Sequence, residues 1–574
     1  MAIPNKILLF TGALLTLNSS NAQVIHTNKS YPQTDFRPPL ELRPSLAGAF
    51  GELRKNHFHS GLDYKTNQRE GYPVYAAADG FVSRLKIQIG GFGNAVYIDH
   101  PNGYTTVYAH LQRFNTLIAQ TVKDCQYQMQ SFETDFSPRH LKISVKKGDI
   151  IGWSGNTGSS GGPHLHFEIR DTQTEEIINP QLFGLALPDH IKPEIGGLYV
   201  YHLNGEPFSD QTPKRYFPVV GNAGTYKLQE APLIDVNEEV GFGIVTYDKN
   251  SASDTKHGVY SIDLLVDGQN IYSASWERFF FNHSRAINSY IDYPTLQTSN
   301  KWIQKNFVEP GNPLTIYKNL VSNGLLHISD KQIHQVQYLI KDVAGNTSTL
   351  NFRIKYNPTA IITNKKKTDT LLFKYNQANT FNTDKVNVLL PKGVLYSNLN
   401  FAYSFSPKPI DGFSPIHHIH NKLTPLNDTI RLWIKPENTL PVNLKEKALL
   451  VDNRRMAQGG TYEDGYVKAT IKIFGSFYVT VDTIAPTITP INITDGKSMK
   501  NSSKMVFKIS DQLSGIKKFV GILDGQWILM EFDAKTSTLW HTFDDRTSAG
   551  KHFFQLSVSD AKANEKVYKA TFYK

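Results

Sequence analysis

The chain has 574 residues, a single cysteine and a formal net charge of +10 at pH 7. One cysteine excludes an intrachain disulfide framework, so buried hydrophobic cores must stabilise the roughly three or four domains that this length supports. The positive charge fits contact with an anionic surface and fits an ordinary basic background equally well.

The N-terminus has the features of a secretory signal peptide, which we assign to residues 1–22. Lys6 is its sole charged residue, an apolar run extends from Ile7 to Leu17, and small residues end the segment at Ala22. No later stretch approaches the ~18 consecutive apolar residues that a membrane-spanning helix needs. We therefore expect an exported protein without a transmembrane segment after signal removal.

Export also limits the compartment and the partners. We expect the periplasm, or alternatively secretion from the cell, and no nucleic-acid partner, because an exported chain is separated from nucleic acid. A lipid anchor would need a cysteine at the cleavage site, whereas the single cysteine is Cys125. We expect no lipid anchor.

Short antiparallel strands are predicted between Pro73 and Leu111. Apolar and polar residues alternate there in short segments, with glycine and asparagine between them. The glycine-rich sequence from Gly90 to Asn94 superficially suggests a phosphate-binding loop, but no helix follows it. We interpret it as a turn.

The pattern becomes irregular between residues 114 and 143, and strands resume at Val145. We predict an insertion over the functional site, without clear secondary structure of its own. Loops of this length often act as lids or binding loops, and a merely tolerated insertion fits the sequence equally well.

Beyond Pro188 the sequence stays strand-rich, which predicts a mainly β chain with tandem immunoglobulin-like β-sandwiches. Two sandwiches share a weak internal echo, since Asp342-Val343-Ala344-Gly345-Asn346 resembles Asp560-Ala561-Lys562-Ala563-Asn564. The aromatic run from Trp276 to Phe281 fits a buried strand better than a binding surface. The expected boundaries are 23–188 for an N-terminal antiparallel β domain (core 49–172), 189–356 for a sandwich, 357–483 for a β-rich domain and 484–574 for a second sandwich.

Three separated motifs carry histidines and a carboxylate. His59 and Asp63 lie four residues apart, His110 follows a predicted strand, and His164 and His166 share one face of another strand. Two imidazoles and one carboxylate suit Zn²⁺ and leave one coordination position open, as in catalytic zinc sites. Two further histidines then remain for proton transfer. Single residues of these types are more often structural, so the prediction depends on their combination.

The three motifs, in this order, resemble those of the lysostaphin-like, or β-lytic, zinc metallopeptidases. That family has a LytM-type domain built on a duplicated hybrid motif and cuts peptide bonds in bacterial cell-wall peptidoglycan. The resemblance extends from about Gly51 to Arg170. It includes His-Ser-Gly-Leu-Asp at 59–63, Tyr-Ala-His-Leu at 108–111 and Pro-His-Leu-His-Phe-Glu at 163–168.

The resemblance implies a role for each motif residue, with one zinc ion per chain. The implied zinc ligands are His59, Asp63 and His166. The implied catalytic pair is His110 and His164. Which of the two is the general base stays open, and Glu168 is expected either at the surface or as the partner of a metal-bound histidine. Because the implied ligands precede Arg170, we expect zinc binding to survive deletion of residues 191–574.

The resemblance also implies a function. It is that of an exported zinc metalloendopeptidase, which hydrolyses cross-link or stem peptides of peptidoglycan with a zinc-activated water. The C-terminal β domains are then available for wall-remodelling protein partners. The alternative is a catalytically silent wall-binding or regulatory protein that activates another wall hydrolase, with its site occluded by the insertion at 114–143. A phosphocarrier of the sugar-phosphotransferase kind is disfavoured by the signal peptide and by the His59–Asp63 pair.

Overall fold

The computed structural model describes residues 29–230, 233–360 and 371–574, and the predicted signal peptide lies outside these ranges. The described chain is mostly β, as the sequence predicted. Among the described residues, no helix combines the length and the apolar character that crossing a membrane requires. The α-helices are α1 (Thr116–Met129), α2 (Ile287–Tyr290), α3 (Tyr293–Ser299) and α4 (Val442–Lys445).

The N-terminal segment is built around one antiparallel sheet that brings distant motifs together. The strands of this segment are β1 (Leu46–Gly48), β2 (Leu53–Arg54), β3 (His57–Phe58), β4 (Leu62–Lys65), β5 (Pro73–Tyr75), β6 (Gly80–Ile87), β7 (Asn94–Asp99), β8 (Tyr104–Ala109), β9 (Arg113–Phe114), β10 (Thr134–Phe136), β11 (Ser144–Val145), β12 (Ile150–Trp153), β13 (His164–Asp171) and β14 (Ile177–Ile178). The pair β2-β3 and the triplet β5-β12-β9 form two smaller sheets of their own. The order in the main sheet is β1-β4-β13-β8-β7-β6-β10. The three strands that carry or flank the motifs, β4, β13 and β8, are therefore neighbours.

The strand register aligns the motif residues. His166 on β13 lies opposite Asp63 on β4 and opposite Ala109 on β8. Leu165 and Phe167, which alternate with His166, point to the other face of the sheet and are fully buried. This apolar face fixes the register, because a slip of one residue would turn the histidine into the core.

The insertion is structured, so the expectation of a loop without clear structure was wrong. It contains α1, whose N-terminus is capped by the Asn115 side chain accepting from the backbone N–H of Ile118. Ile118, Val122 and Gln126 repeat every four residues and are buried along one face. The buried Gln126 interrupts the apolar pattern, which explains why sequence periodicity alone missed this helix.

The segment after residue 188 shares a hydrophobic core with the N-terminal sheet. Its strands are β15 (Glu194–His202), β16 (Lys214–Phe217), β17 (Val219–Asn222), β18 (Thr225–Leu228), β19 (Leu233–Val236), β20 (Glu239–Asn250), β21 (Ser253–His257), β22 (Ser261–Val266), β23 (Gln269–Ser275), β24 (Arg278–Phe279), β25 (Gln304–Lys305), β26 (Tyr317–Leu320), β27 (Leu326–His327), β28 (Ile333–Lys341) and β29 (Thr347–Tyr356). β24 pairs with β14 of the N-terminal sheet. One buried cluster accordingly crosses the expected boundary at residue 188.

The aromatic run joins these two segments. Trp276 and Phe279 are buried, and the Trp276 ring centroid lies 6.1 Å from that of Phe58 in the N-terminal segment. The backbone N–H of Phe58 donates to the Ser284 hydroxyl at 2.8 Å. A Cβ added at Gly51 would lie 2.2 Å from the Trp276 ring, so glycine permits this close packing.

Two further β segments complete the described chain, each with a buried cluster of its own. The strands of the first are β30 (Leu371–Phe373), β31 (Asn379–Asn382), β32 (Val386–Leu390), β33 (Leu399–Phe401), β34 (Tyr403–Ser406), β35 (Ile416–Ile419), β36 (Ile430–Ile434), β37 (Ala448–Asp452), β38 (Ala457–Gly459), β39 (Thr461–Glu463), β40 (Tyr466–Ile471) and β41 (Gly475–Val481). The strands of the last are β42 (Thr487–Pro490), β43 (Lys497–Ser498), β44 (Lys504–Ser510), β45 (Ile516–Leu523), β46 (Gln526–Ile528), β47 (Glu531–Asp533), β48 (Thr538–Thr542), β49 (Lys551–Asp560) and β50 (Glu565–Tyr573). In the last segment, the sheets β42-β44-β48-β47 and β43-β50-β49-β45-β46 enclose one core. An immunoglobulin-like topology stays a prediction.

The last β segment packs on the insertion helix. The rings of Tyr127 on α1 and Trp527 on β46 meet edge to face, with centroids 5.1 Å apart. The Lys123 ammonium pairs with the Asp544 carboxylate at 2.6 Å. The insertion therefore holds the C-terminal segment against the N-terminal one.

Candidate metal centre

The three implied ligands converge in one buried group. One potential ligand atom from each of His59, Asp63 and His166 lies within 4.8 Å of the others. Asp63 Oδ1 is 3.0 Å from His59 Nε2 and 2.8 Å from His166 Nδ1, and these two nitrogens are 3.1 Å apart. All three side chains are buried.

The outer nitrogen of each histidine has an acceptor that fixes the tautomer. His59 Nδ1 donates to the backbone carbonyl of Ala49 at 2.8 Å, and His166 Nε2 donates to Glu168 Oε1 at 3.0 Å. In the neutral imidazole the other nitrogen then carries a lone pair. When both rings are neutral, His59 Nε2 and His166 Nδ1 present lone pairs to the centre of the group. Burial lowers the pKa of His166, but Asp63 and Glu168 outweigh it and raise that pKa to about 9, so a metal ion that binds here displaces the proton of this ring.

Two arginines hold the carboxylates in place. Arg170 pairs with Glu168 Oε2 at 2.5 Å, and Arg54 donates to Asp63 Oδ2 at 2.8 Å. Burial alone would raise the pKa of Glu168, but Arg170 and the adjacent imidazole lower it to about 2. Glu168 is thus an ionised, fully buried partner of His166 and not a surface group.

The donor set fits a divalent metal ion. Two imidazole nitrogens and one carboxylate oxygen lie 2.8–3.1 Å from one another, an arrangement that a shared cation, either a proton or a metal ion, holds together. Imidazole and carboxylate are zinc ligands, and three protein ligands leave one position for water or substrate. A hydrogen-bond acceptor for the outer nitrogen of each histidine, here the Ala49 carbonyl and the Glu168 carboxylate, is also characteristic of metal sites.

The other two histidines flank this group. His110 Nδ1 donates to the carbonyl of Thr157 and His164 Nδ1 to the carbonyl of Gly162, both at 2.8 Å. Their ring centroids are 4.8 Å apart, and His164 Nε2 lies 3.3 Å from Asp63 Oδ1. Burial, reinforced by the two neighbouring imidazoles, lowers the pKa of His110 to about 3. His110 is therefore neutral at physiological pH, with Nε2 as a proton acceptor.

Sequence reasoning missed two residues that touch the group. Arg54 reaches Asp63 because the hairpin of β2 and β3 turns its side chain toward β4, and no motif marks it. Phe92, in the turn that superficially suggested a phosphate loop, stacks on His166 with a centroid distance of 5.3 Å. Its aromatic ring between two glycines was the available signal.

A lysine from the last β segment contacts the loop that precedes His164. Lys535 Nζ donates to the backbone carbonyl of Asn156 and, at 3.4 Å, to that of Ser160. The Ser160 hydroxyl lies 3.1 Å from His164 Nδ1. The last segment therefore supports the loop directly beside the candidate site.

Comparison with known proteins identifies two regions. Residues 57–143 and 140–180 match the family model described as Peptidase family M23, and residues 370–482 match a Zu5-like domain. The DD-carboxypeptidase/endopeptidase Mpg of Neisseria meningitidis is 38% identical over 131 residues, which are 23% of this chain and 24% of that protein. The peptidoglycan DD-endopeptidase ShyC of Vibrio cholerae is 37% identical over 111 residues, 19% of this chain and 20% of that protein.

The chain thus spans about a quarter or less of the length of these curated relatives. Among solved structures, the catalytic domain of lysostaphin from Staphylococcus simulans aligns at 24% identity over 25% of this chain and 93% of that one, with a TM-score of 0.19. Residues 57–180 therefore match peptidase family M23, which confirms the resemblance that the three motifs indicated.

Proposed function

We propose that this chain is an exported zinc metalloendopeptidase that hydrolyses cross-link or stem peptides of bacterial peptidoglycan. The observation that carries the proposal is the convergence of two imidazole lone pairs and one carboxylate beside two further imidazoles. The curated relatives support it, because their names describe a DD-carboxypeptidase/endopeptidase and a peptidoglycan DD-endopeptidase. The signal-like N-terminus supports a periplasmic location.

Zinc would be held by His59, Asp63 and His166, where it supplies Lewis-acid activation of water and of the scissile carbonyl. The protein contributes the orientation of these ligands through the Ala49 carbonyl and the Glu168 carboxylate. Phe92 covers one face of His166 and excludes water from that side. The remaining chemistry is proton transfer.

His110 and His164 are suited to that proton transfer. Each commits Nδ1–H to a backbone carbonyl, so each presents Nε2 as an acceptor toward the site. One of them takes the proton from the attacking water, and once protonated it donates to the oxyanion or to the leaving amine. His110 also has a left-handed backbone (φ 59°), which the surrounding contacts hold in place.

The direct test is the release of new amino and carboxyl termini from purified peptidoglycan. We expect cleavage by the zinc-loaded chain, loss of cleavage after chelation, and recovery when zinc is returned. The His164→Ala variant is the matched control and should release termini about 10²- to 10⁴-fold more slowly. Stoichiometric zinc without any new termini would instead favour the catalytically silent wall-binding or regulatory alternative.

The buried Glu168 gives a second prediction. Glu168→Gln removes the charge that orients His166 and leaves the buried Arg170 without its anion. We expect zinc affinity to fall about 10- to 100-fold, measured by competition with a chromogenic chelator. Glu175→Gln, at an exposed position beyond the same strand, is the control and should bind zinc like the parent chain. Equal zinc affinities for the parent chain, Glu168→Gln and Glu175→Gln would show that Glu168 does not support the metal site.

A further inference from the structure

A second group of ionisable side chains lies outside the histidine site. One carboxylate oxygen from each of Asp189, Asp248 and Asp342 lies within 4.8 Å of the others. Asp248 belongs to β20, Asp342 directly follows β28, and Asp189 lies in the connection that enters β15. Asp248 and Asp342 are only 7% and 2% exposed.

One oxygen in this group has no compensating donor. Asp189 Oδ1 accepts from the backbone N–H groups of Ile191 and Ser251, and both oxygens of Asp342 accept from Asn346. In contrast, no described residue donates a hydrogen bond to the buried Oδ1 of Asp248. A buried anionic oxygen without a partner is costly, so its presence needs an explanation.

No cation forms an ion pair with this group among the described residues, and His257, which lies opposite Asp248 and lines the same cavity, pairs with Glu52 at 3.5 Å. None of the ion pairs among the described residues includes Asp189, Asp248 or Asp342. Burial, with repulsion from the other two carboxylates, raises the pKa of Asp248 to about 8, although the backbone N–H of Lys249 acts against the shift. Burial also raises the pKa of Asp342 to about 6. A cation among the three would remove this repulsion.

There is space for an ion beside the group. A cavity of about 30 Å³ is lined by Asp189 and Asp248 together with Ala49 and Phe50 of the N-terminal segment. This volume exceeds the ~10–15 Å³ that one water-sized particle needs. The cavity lies at the junction of the first two segments, and its wall includes Ala49, whose carbonyl orients His59.

The last β segment contains a matching group. Ligand atoms of Asp482, Asp511 and Asp560 also lie within 4.8 Å of one another. Asn564 Nδ2 donates to the backbone carbonyl of Asp482 at 2.9 Å. In the other group, Asn346 Nδ2 donates in the same way to the backbone carbonyl of Asp189. The weak sequence echo therefore corresponds to a repeated arrangement of three aspartates.

The two groups differ in one residue that explains their charges. The last group has its own cation, Lys562, which is 7% exposed and interacts electrostatically with Asp482 and Asp560. The position that corresponds to Lys562 in the echo is Ala344, which has no charge. Asp511 also accepts backbone N–H groups, whereas Asp248 Oδ1 accepts none from the described residues.

We propose that Asp189, Asp248 and Asp342 form a Ca²⁺ site at the junction of the first two segments. Oxygen-only donors with three carboxylates suit a hard cation, and Ca²⁺ accepts an irregular shell completed by carbonyl oxygens and water. The ion neutralises the uncompensated oxygen of Asp248 and ties β20 to the connection at Asp189. It therefore stabilises the joint behind the histidine site without taking part in hydrolysis.

The test is calcium binding to the full chain loaded with one equivalent of zinc. Isothermal titration should give one Ca²⁺ per chain, and a hundredfold excess of Ca²⁺ over its Kd should raise Tm by about 5 °C. Asp248→Asn should lose both effects, and its calcium-free Tm should be no lower than that of the parent, because a buried repulsion is removed. Asp511→Asn, in the matching group, should keep both.

The outcomes separate cleanly. Absence of stoichiometric Ca²⁺ binding by the parent chain overturns the proposal, as does a calcium response that persists in Asp248→Asn. An equal loss in Asp511→Asn overturns the assignment to the first group. If Asp248→Asn does not fold, Asp342→Asn takes its place with the same expected loss. The proposal is independent of peptidase activity, since calcium binding and Tm are its readouts.

Discussion

Replacing His59 or His166 with alanine should remove zinc and hydrolysis together, whereas replacing His164 should remove hydrolysis and leave most of the zinc. His59 Nε2 and His166 Nδ1 lie 3.0 Å and 2.8 Å from Asp63 Oδ1, so either substitution removes one of the three potential ligands. We expect more than a hundredfold loss of zinc affinity for these two variants. For His164→Ala we expect kcat to fall about 10²- to 10⁴-fold, since a proton-transfer group is lost.

The measurements are metal content per chain and termini released from peptidoglycan. His57→Ala is a matched control, because His57 is exposed and its ring contacts the backbone of Lys55. This control should keep both zinc and activity. Zinc loss of equal size in the His59, His164 and His166 variants would contradict the division between ligands and proton-transfer residues.

The second large effect concerns stability. Trp276→Ala should lower the free energy of unfolding by about 3–5 kcal/mol, because it removes a fully buried indole between two segments. The loss should appear in a single transition that unfolds both segments, since Phe58 and Trp276 belong to one buried cluster. Chemical denaturation followed by tryptophan fluorescence and circular dichroism measures the free energy of unfolding and the number of transitions. Phe405→Ala, at a 68% exposed aromatic, should change the same free energy by less than about 0.5 kcal/mol.

The same shared core revises the expectation for a truncated chain. Deletion of residues 191–574 removes Trp276 and the β24 partner of β14, and exposes Phe58. We therefore expect the remaining fragment to aggregate or to lack a cooperative transition, although all the implied ligands are present. A fragment that unfolds cooperatively and binds zinc as tightly as the full chain would show that the N-terminal segment folds alone.

The candidate site was accessible from sequence because its chemistry sits in short motifs. His59 and Asp63 are four residues apart, and His164 and His166 share a strand face, so local geometry already constrains each pair. The register between β4 and β13 then joins the pairs. Arg54 was not predicted, because its contact with Asp63 depends on the hairpin of the two short strands β2 and β3, which no periodic pattern encodes.

Helix α1 and the hydrophobic core shared by the first two segments were not predicted, for different physical reasons. The apolar pattern of helix α1 is interrupted by a buried polar residue, Gln126. Its side chain donates a hydrogen bond to the Phe132 carbonyl, which allows a polar residue to be buried there. The aromatic run correctly indicated burial for Trp276 and Phe279 but not for Phe281, which is 54% exposed, and apolar character does not specify the partner surface. The sequence therefore indicated that these aromatic residues are buried, but not which two segments they join.

The contact of Lys535 with the loop before His164 relates the site to the order in which the chain is made. The ribosome completes every candidate ligand and proton-transfer residue long before it adds Lys535. An unfinished chain therefore has the histidines and Asp63 but lacks the donor to the carbonyls of Asn156 and Ser160. Support for this loop therefore arrives after the site residues themselves, so a chain interrupted before Lys535 carries the site without this contact.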